Sequence, residues 1–324
     1  MTTPRLLYLS RADVEAAGLD LPAIIGLLEA AFREKAEGRV EMPPKPGIHP
    51  RPESFIHAMP CAIPSMRAAG VKWVSGYPAN PARGLPYISG LVILNDDDTG
   101  LPVAVMDATW ITAYRTGAAT AVAARRLARP DSATVGVLAC GVQGRTNLTA
   151  LAACFRITRV FAYDVVREAQ ERYVREMSGA LGVEVVGVTA PRDAVVGADL
   201  VVTSGPILKQ PTPTIGADWL QPGAFASAVD FDSYWKPDAL AQIDRLATDD
   251  LPQFRFYREM GYFQRTPEPY ASLDEIVTGR KPGRERDDER TMAMNLGVAM
   301  DDMAVAPEVY RRAVERGLGT WLRL

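Results

Sequence analysis

A strand, a glycine turn, a helix, a second strand and an acid can be read in succession between residues 134 and 164. The stretch is T-V-G-V-L-A-C-G-V-Q-G-R-T-N-L-T-A-L-A, a short link, then R-V-F-A-Y-D. Residues 134–138 are a short apolar run with β-branched Val135 and Val137, which predicts a buried strand. Residues 139–144 form the turn. In 145–154, Leu148, Leu151 and Ala152 share one helical face. Residues 159–163 read as a second strand, ending in Asp164, 20 residues past Gly144.

That succession is the order of a dinucleotide-binding βαβ unit. Gly141 has no Cβ, so backbone can approach a pyrophosphate. Gly144 allows close packing of helix on strand. The free N–H groups at the helix start point at phosphate. Asp164 can accept both ribose hydroxyls and would repel a 2′-phosphate, which favours NAD over NADP. One position departs from G-x-G-x-x-G: its first glycine is Ala139.

Bulk properties exclude several classes. The 324 residues suffice for two domains, and 48% hydrophobic with 23% charged residues is ordinary for a globular protein. Net charge is −3 without an isolated basic cluster, so no nucleic-acid surface is expected. Arg125 and Arg126 read as a solvated helix face. Cys61, Cys140 and Cys154 have unrelated spacings, giving neither a disulfide framework nor a metal site. Two histidines exclude a His-rich zinc site. Asp96, Asp97 and Asp98 lack EF-hand spacing, so no metal is expected. The first ten residues lack an apolar signal region and no run reaches membrane-spanning length, so a cytoplasmic protein without membrane contact is expected.

Along the chain, 6–9 reads as a strand. Ser10 with Asp13 reads as a capping box, and Asp20 caps a helix that Gly38 ends. The proline-rich segment 41–52 predicts a rigid extended edge. Residues 54–59, 69–74, 89–95 and 103–106 read as strands of a meander, mixed or antiparallel. Residues 109–127 predict a long helix so rich in alanine that something must pack on it closely, with Arg115 in its apolar face. A break follows at Ala128. After the glycine turn, β and α segments alternate, with strands at 183–188, 200–203, 224–229 and 245–248. This predicts a parallel, doubly wound sheet. Its ligands gather at strand carboxyl ends, which include Thr203, Ser204, Asp230 and Asp232. Residues 249–268, with Tyr257, Tyr262 and Phe263, read as a long aromatic loop.

Together these residues resemble the ornithine cyclodeaminase/μ-crystallin family. Four motifs carry the likeness: G-V-K-W-V-S-G-Y-P-A-N at 70–80, I-T-A-Y-R-T-G-A-A-T-A at 111–121, the G-V-Q-G turn, and N-L-G-V-A-M-D-D-M-A from Asn295. The resemblance implies an α/β protein with a Rossmann-type doubly wound parallel sheet domain, 129–302, holding NAD. It also implies an α+β substrate-binding and dimerisation domain, 1–128, completed by helices in 303–324. The implied partner is a small amino or imino acid, and the implied assembly is a homodimer. Thr116 and Asn295, inside the second and fourth motifs, join Gly141, Val142, Gln143, Gly144, Asp164, Thr203 and Ser204 as expected cofactor contacts.

For the substrate, the resemblance implies Arg115 as the carboxylate grip, Lys72 beside the reacting carbon and Asp232 as acid/base. The chemistry is coherent. A guanidinium binds carboxylate bidentately, and a lysine near it has a lowered pKa and can exchange a proton. Each has a structural alternative: a buried salt bridge for Arg115, a solvent-facing strand lysine for Lys72, a turn cap for either Asp230 or Asp232. Lys45 stands where many members carry arginine. His57 stands where ornithine-processing members carry an acid for the distal amine, which weakens ornithine as the substrate. Three readings follow: an NAD-dependent amino-acid dehydrogenase or imine reductase, a cyclodeaminase that recycles its NAD, and a dinucleotide-binding protein without turnover. The first is favoured through His57.

Overall fold

The computed structural model describes residues 4–324. The first three residues of the expected first domain lie outside the described residues. The chain divides into two units. One runs to Arg115 and resumes at Val298, and the other is Thr116–Gly297. The division falls inside a continuous helix, upstream of the break read at Ala128.

The first unit opens with β1 (Arg5–Leu9), α1 (Arg11–Ala16) and α2 (Leu21–Ala36). Ser10 and Asp13 form the capping box, and Asp20 accepts the Ala23 N–H. β2 (Gly47–Ile48), β3 (Phe55–Ile63), β4 (Ala68–Gly76), β5 (Ile88–Asn95) and β6 (Pro102–Asp107) follow, then α3 (Thr109–Leu127). The proline-rich segment supplies β2, an edge strand. Strands β2 to β6 are antiparallel neighbours, and β1 joins β6 in parallel. Period-2 alternation gives the sheet one inner apolar face, with Leu7, Met59, Val92 and Met106 buried. Lys72 is the exception among them, a charged residue on that face.

The second unit begins with β7 (Thr134–Leu138), α4 (Val142–Ala152), β8 (Arg159–Tyr163), α5 (Arg167–Leu181), β9 (Glu184–Gly187) and α6 (Pro191–Val195). It continues through β10 (Leu200–Thr203), β11 (Phe225–Ala228), α7 (Pro237–Leu240), β12 (Arg245–Thr248), α8 (Leu251–Glu259), β13 (Ala271–Ser272), α9 (Leu273–Val277) and β14 (Thr291–Met294). The eight strands lie in the order β13-β12-β14-β11-β10-β7-β8-β9. All neighbours are parallel, and the chain order reverses at β7/β10. The helix after the glycine turn starts at Val142, three residues earlier than its apolar pattern suggests, because Gly141 serves as N-cap.

The close packing expected on α3 is found. A Cβ on Gly117 would lie 2.5 Å from the Thr146 carbonyl oxygen of α4. Residues 249–268 are only in part the expected loop, since Leu251–Glu259 is helix. Asp250 accepts the Gln253 N–H and caps α8, whose Phe254 and Tyr257 enter the core with Phe263. Pro252 in its first turn, with Gly261 and Pro267 further along, obscures the short helical period.

The chain then returns to the first unit as α10 (Ala299–Glu315) and β15 (Thr320–Arg323). β15 pairs with β1, giving a seven-stranded sheet in the order β15-β1-β6-β5-β4-β3-β2. α10 packs on β3, β4 and α2.

Candidate active site

In the first unit, β4, α3 and α10 bring four charged side chains together inside the protein. Lys72 sits in the middle of β4 at 1% exposure, with its neighbour Trp73 on the opposite face. Its Nζ is 2.7 Å from Asp302 Oδ2 and donates to Thr112 Oγ1 at 3.3 Å. Arg115 donates from Nη1 to Asp301 Oδ2 at 3.2 Å, and its Nε is 3.3 Å from Asp302 Oδ1. Asp302 therefore bridges the lysine and the arginine. Both aspartates are fully buried, in the first turn of α10, where the helix dipole favours negative charge. Burial and the Arg115 charge pull Lys72 down to about 8, against the opposing pull of Asp302. The buried salt bridge weighed for Arg115 is present, and it holds the guanidinium beside a lysine of lowered basicity.

His57 lies on β3, stacked on Phe55 with ring centroids 4.4 Å apart. Burial, then Lys45, His49 and Lys72, push its imidazole down to about 3, so it is neutral at physiological pH. Lys45 is itself buried. Beside burial, the charges that lower His57 are those of Lys45, His49 and Lys72.

In the second unit, the glycine turn meets the requirements of a dinucleotide cradle. A Cβ on Gly144 would lie 2.5 Å from the Ala139 carbonyl oxygen, whereas one on Gly141 would meet nothing within 4 Å. Gly144 is thus needed for strand–helix packing, and Gly141 leaves open space in front of the α4 N-terminus. Ala139 has φ 77°, the left-handed region that the usual glycine would occupy without strain. Asp164 accepts from Cys140 N at 2.7 Å and from Val166 N at 2.8 Å, which fixes it beside the turn. Gln143 is tied to Asn147, whose Nδ2 donates to its carbonyl at 2.8 Å. Ser204 Oγ donates to the Ala139 carbonyl at 3.1 Å.

Asn295 follows β14 and is 3% exposed, yet neither its amide nitrogen nor its amide oxygen has a hydrogen-bond partner. A buried amide with both ends unmet suits a ligand that offers a donor and an acceptor, as a carboxamide does. Thr116 is buried on α3. Thr203 differs from expectation in detail: its hydroxyl donates to Asp230 Oδ1 at 2.7 Å and is not turned outward.

The two aspartates after β11 are also distinguished. Asp230 is fully buried and accepts from Thr203 Oγ1 and, at 2.8 Å, from Gly205 N. Burial pushes it up to about 7. Asp232 is only partly buried and accepts from Thr266 Oγ1 at 2.8 Å. Burial raises it as well. Sequence reasoning takes Asp301 and Asp302 only as part of the fourth motif, without a role at the site, and does not single out Thr266. For the first two the signal was present: adjacent acids inside an otherwise apolar helical run.

Comparison with known proteins gives one consistent result. Residues 6–317 match the model of the ornithine cyclodeaminase/mu-crystallin family. The Δ1-pyrroline-2-carboxylate reductase of Thermococcus litoralis, solved with NADH and L-proline, is 31% identical at a TM-score of 0.88, covering 97% of this chain and 99% of that one. An archaeal alanine dehydrogenase, solved as a dimer with bound NAD, is 32% identical at 0.88, covering 99% and 100%. A lysine cyclodeaminase, solved to explain recognition of L-lysine, L-ornithine and L-2,4-diaminobutyric acid, is 28% identical at 0.88, covering 99% and 96%.

Proposed function

The chain belongs to the ornithine cyclodeaminase/mu-crystallin family, and from that premise we propose that it is an NAD-dependent oxidoreductase acting on an α-amino or α-imino acid. The observation that carries this reading is the buried pairing of Lys72 and Arg115 on Asp302.

The second unit is the dinucleotide domain. Gly141 gives room for the pyrophosphate, Asp164 takes the ribose hydroxyls, and Asn295 meets the carboxamide. When bound, NAD supplies a hydride acceptor or donor at nicotinamide C4. The first unit is the substrate domain. Arg115 holds the α-carboxylate with the fork geometry that lysine lacks. Lys72, close to neutrality, holds or takes a proton at the substrate nitrogen. Asp232 is the acid/base that activates water or amine. Asp232 is preferred to Asp230 for that task because Asp230 is fully buried and already accepts from Thr203 and Gly205. Neutral His57 favours a substrate without a distal ammonium and so a dehydrogenase or imine reductase.

The same unit supports a homodimer. On the outer sheet face, Trp73 and Leu91 are register partners at 47% and 43% exposure, beside Val71, Ile93 and Val105. A contiguous apolar face of this kind suits a second copy of the chain.

The test is Lys72→Ala. Turnover is expected to fall at least 100-fold while NADH titration by fluorescence is unchanged. Full turnover in the variant would contradict the reading. A cyclodeaminase is the second reading, motivated by the lysine cyclodeaminase similarity. It separates from the first by ammonia release without net NADH change.

A further inference from the structure

Between Asp230 and Asp232 stands Phe231, at φ 63°. A non-glycine residue keeps a left-handed backbone only where its surroundings enforce it. Three rings do so here. Tyr257, Tyr262 and Phe263 lie 5.3, 5.5 and 4.8 Å from the Phe231 ring, and Phe254 stacks on Phe263 at 4.5 Å. All four come from α8 and the turn after it.

The same segment delivers Thr266, whose hydroxyl donates to Asp232 Oδ2 at 2.8 Å. Thr266 is itself held. Its N–H donates to the Phe263 carbonyl at 3.2 Å, and its own carbonyl accepts from Arg258 Nη2 at 2.6 Å. Arg258 is braced by Glu268 at 2.5 Å and lies over the Phe254 ring. Phe231 is thus a peg gripped by α8, and Thr266 is the tip of that grip on the next residue.

We propose that Thr266 is a positioning residue for the Asp232 carboxylate, presented by residues 250–266 acting as a clasp on Phe231. The proposal rests on the reading of Asp232 as the acid/base. A hydroxyl donor on Oδ2 fixes the carboxylate rotamer and stabilises its ionised form. Beside burial, the groups that act on this carboxylate are the Thr266 hydroxyl and the backbone N–H at Asp232, and its charge in turn raises the buried Asp230.

The experiment uses the full chain. Carboxyl ¹³C titration by NMR is recorded for the parent, Thr266→Val and Thr266→Ser, with Asp232→Asn to assign the signal. The Asp232 titration is expected to move to higher pH in Thr266→Val and to return in Thr266→Ser. Thr266→Val is near-isosteric, and the serine variant guards against a folding defect. An unmoved titration in Thr266→Val overturns the proposal. Turnover of Asp232→Asn with NAD⁺ and a panel of L-amino acids separates the two readings. Full turnover there sinks the acid/base role. Lost turnover with an unmoved Thr266→Val titration sinks the clasp alone.

Discussion

The two glycines of the turn differ in what they face. Gly141→Ala places a methyl in open space. Its thermal midpoint is expected to stay near that of the parent, while NADH affinity drops at least tenfold, about 1.4 kcal/mol. Gly144→Ala drives a methyl against the Ala139 carbonyl. It is expected to lose about 1–3 kcal/mol of stability, as overpacked sites do. Melting curves and NADH titrations of both check the pair, and an equal loss of stability would contradict the assignment. Asp302→Asn tests the buried cluster. Asp302 raises the Lys72 pKa, so its neutralisation lets Lys72 fall below about 8. The inflection of kcat/KM with pH then moves toward acid, and a fixed inflection would be contrary. Breaking such a pair also costs about 3–5 kcal/mol. At this scale the sequence was most legible where chemistry is local. Gly141, Gly144 and Asp164 follow from one turn. The Asp301 and Asp302 partners of Lys72 and Arg115 do not, because β4, α3 and α10 meet only in the fold.

Elements were legible where period and caps agree. The Asp20 cap and the alanine-rich α3 stand where the residues suggest. α8 was hidden, because its aromatic residues pack on Phe231, a partner remote in sequence, and their helical spacing covers little more than two turns. The sheet face carrying Trp73 and Leu91 follows from simple alternation around Lys72. Replacing both with lysine is expected to shift sedimentation from a dimer to a monomer while leaving the fold intact by circular dichroism. A double variant that still sediments as a dimer would place the interface elsewhere.

At the scale of the whole molecule, the order β13-β12-β14-β11-β10-β7-β8-β9 turns about the strand that carries the glycine turn. The return of the chain as α10 and β15 completes the first unit with residues far from it in sequence. The family match over residues 6–317 agrees with four short motifs spread along the chain. Substrate identity is the part that motifs carry least, since it depends on the wall around His57. The most direct measurement follows NADH absorbance and ammonia together, with NAD⁺ and a panel of L-amino acids, and with NADH, ammonia and 2-oxo acids. The account predicts an NADH change for an acid without a distal amine, matched by ammonia where a primary amine is oxidised. Ammonia released from a diamino acid at constant NADH would contradict it and make the protein a cyclodeaminase.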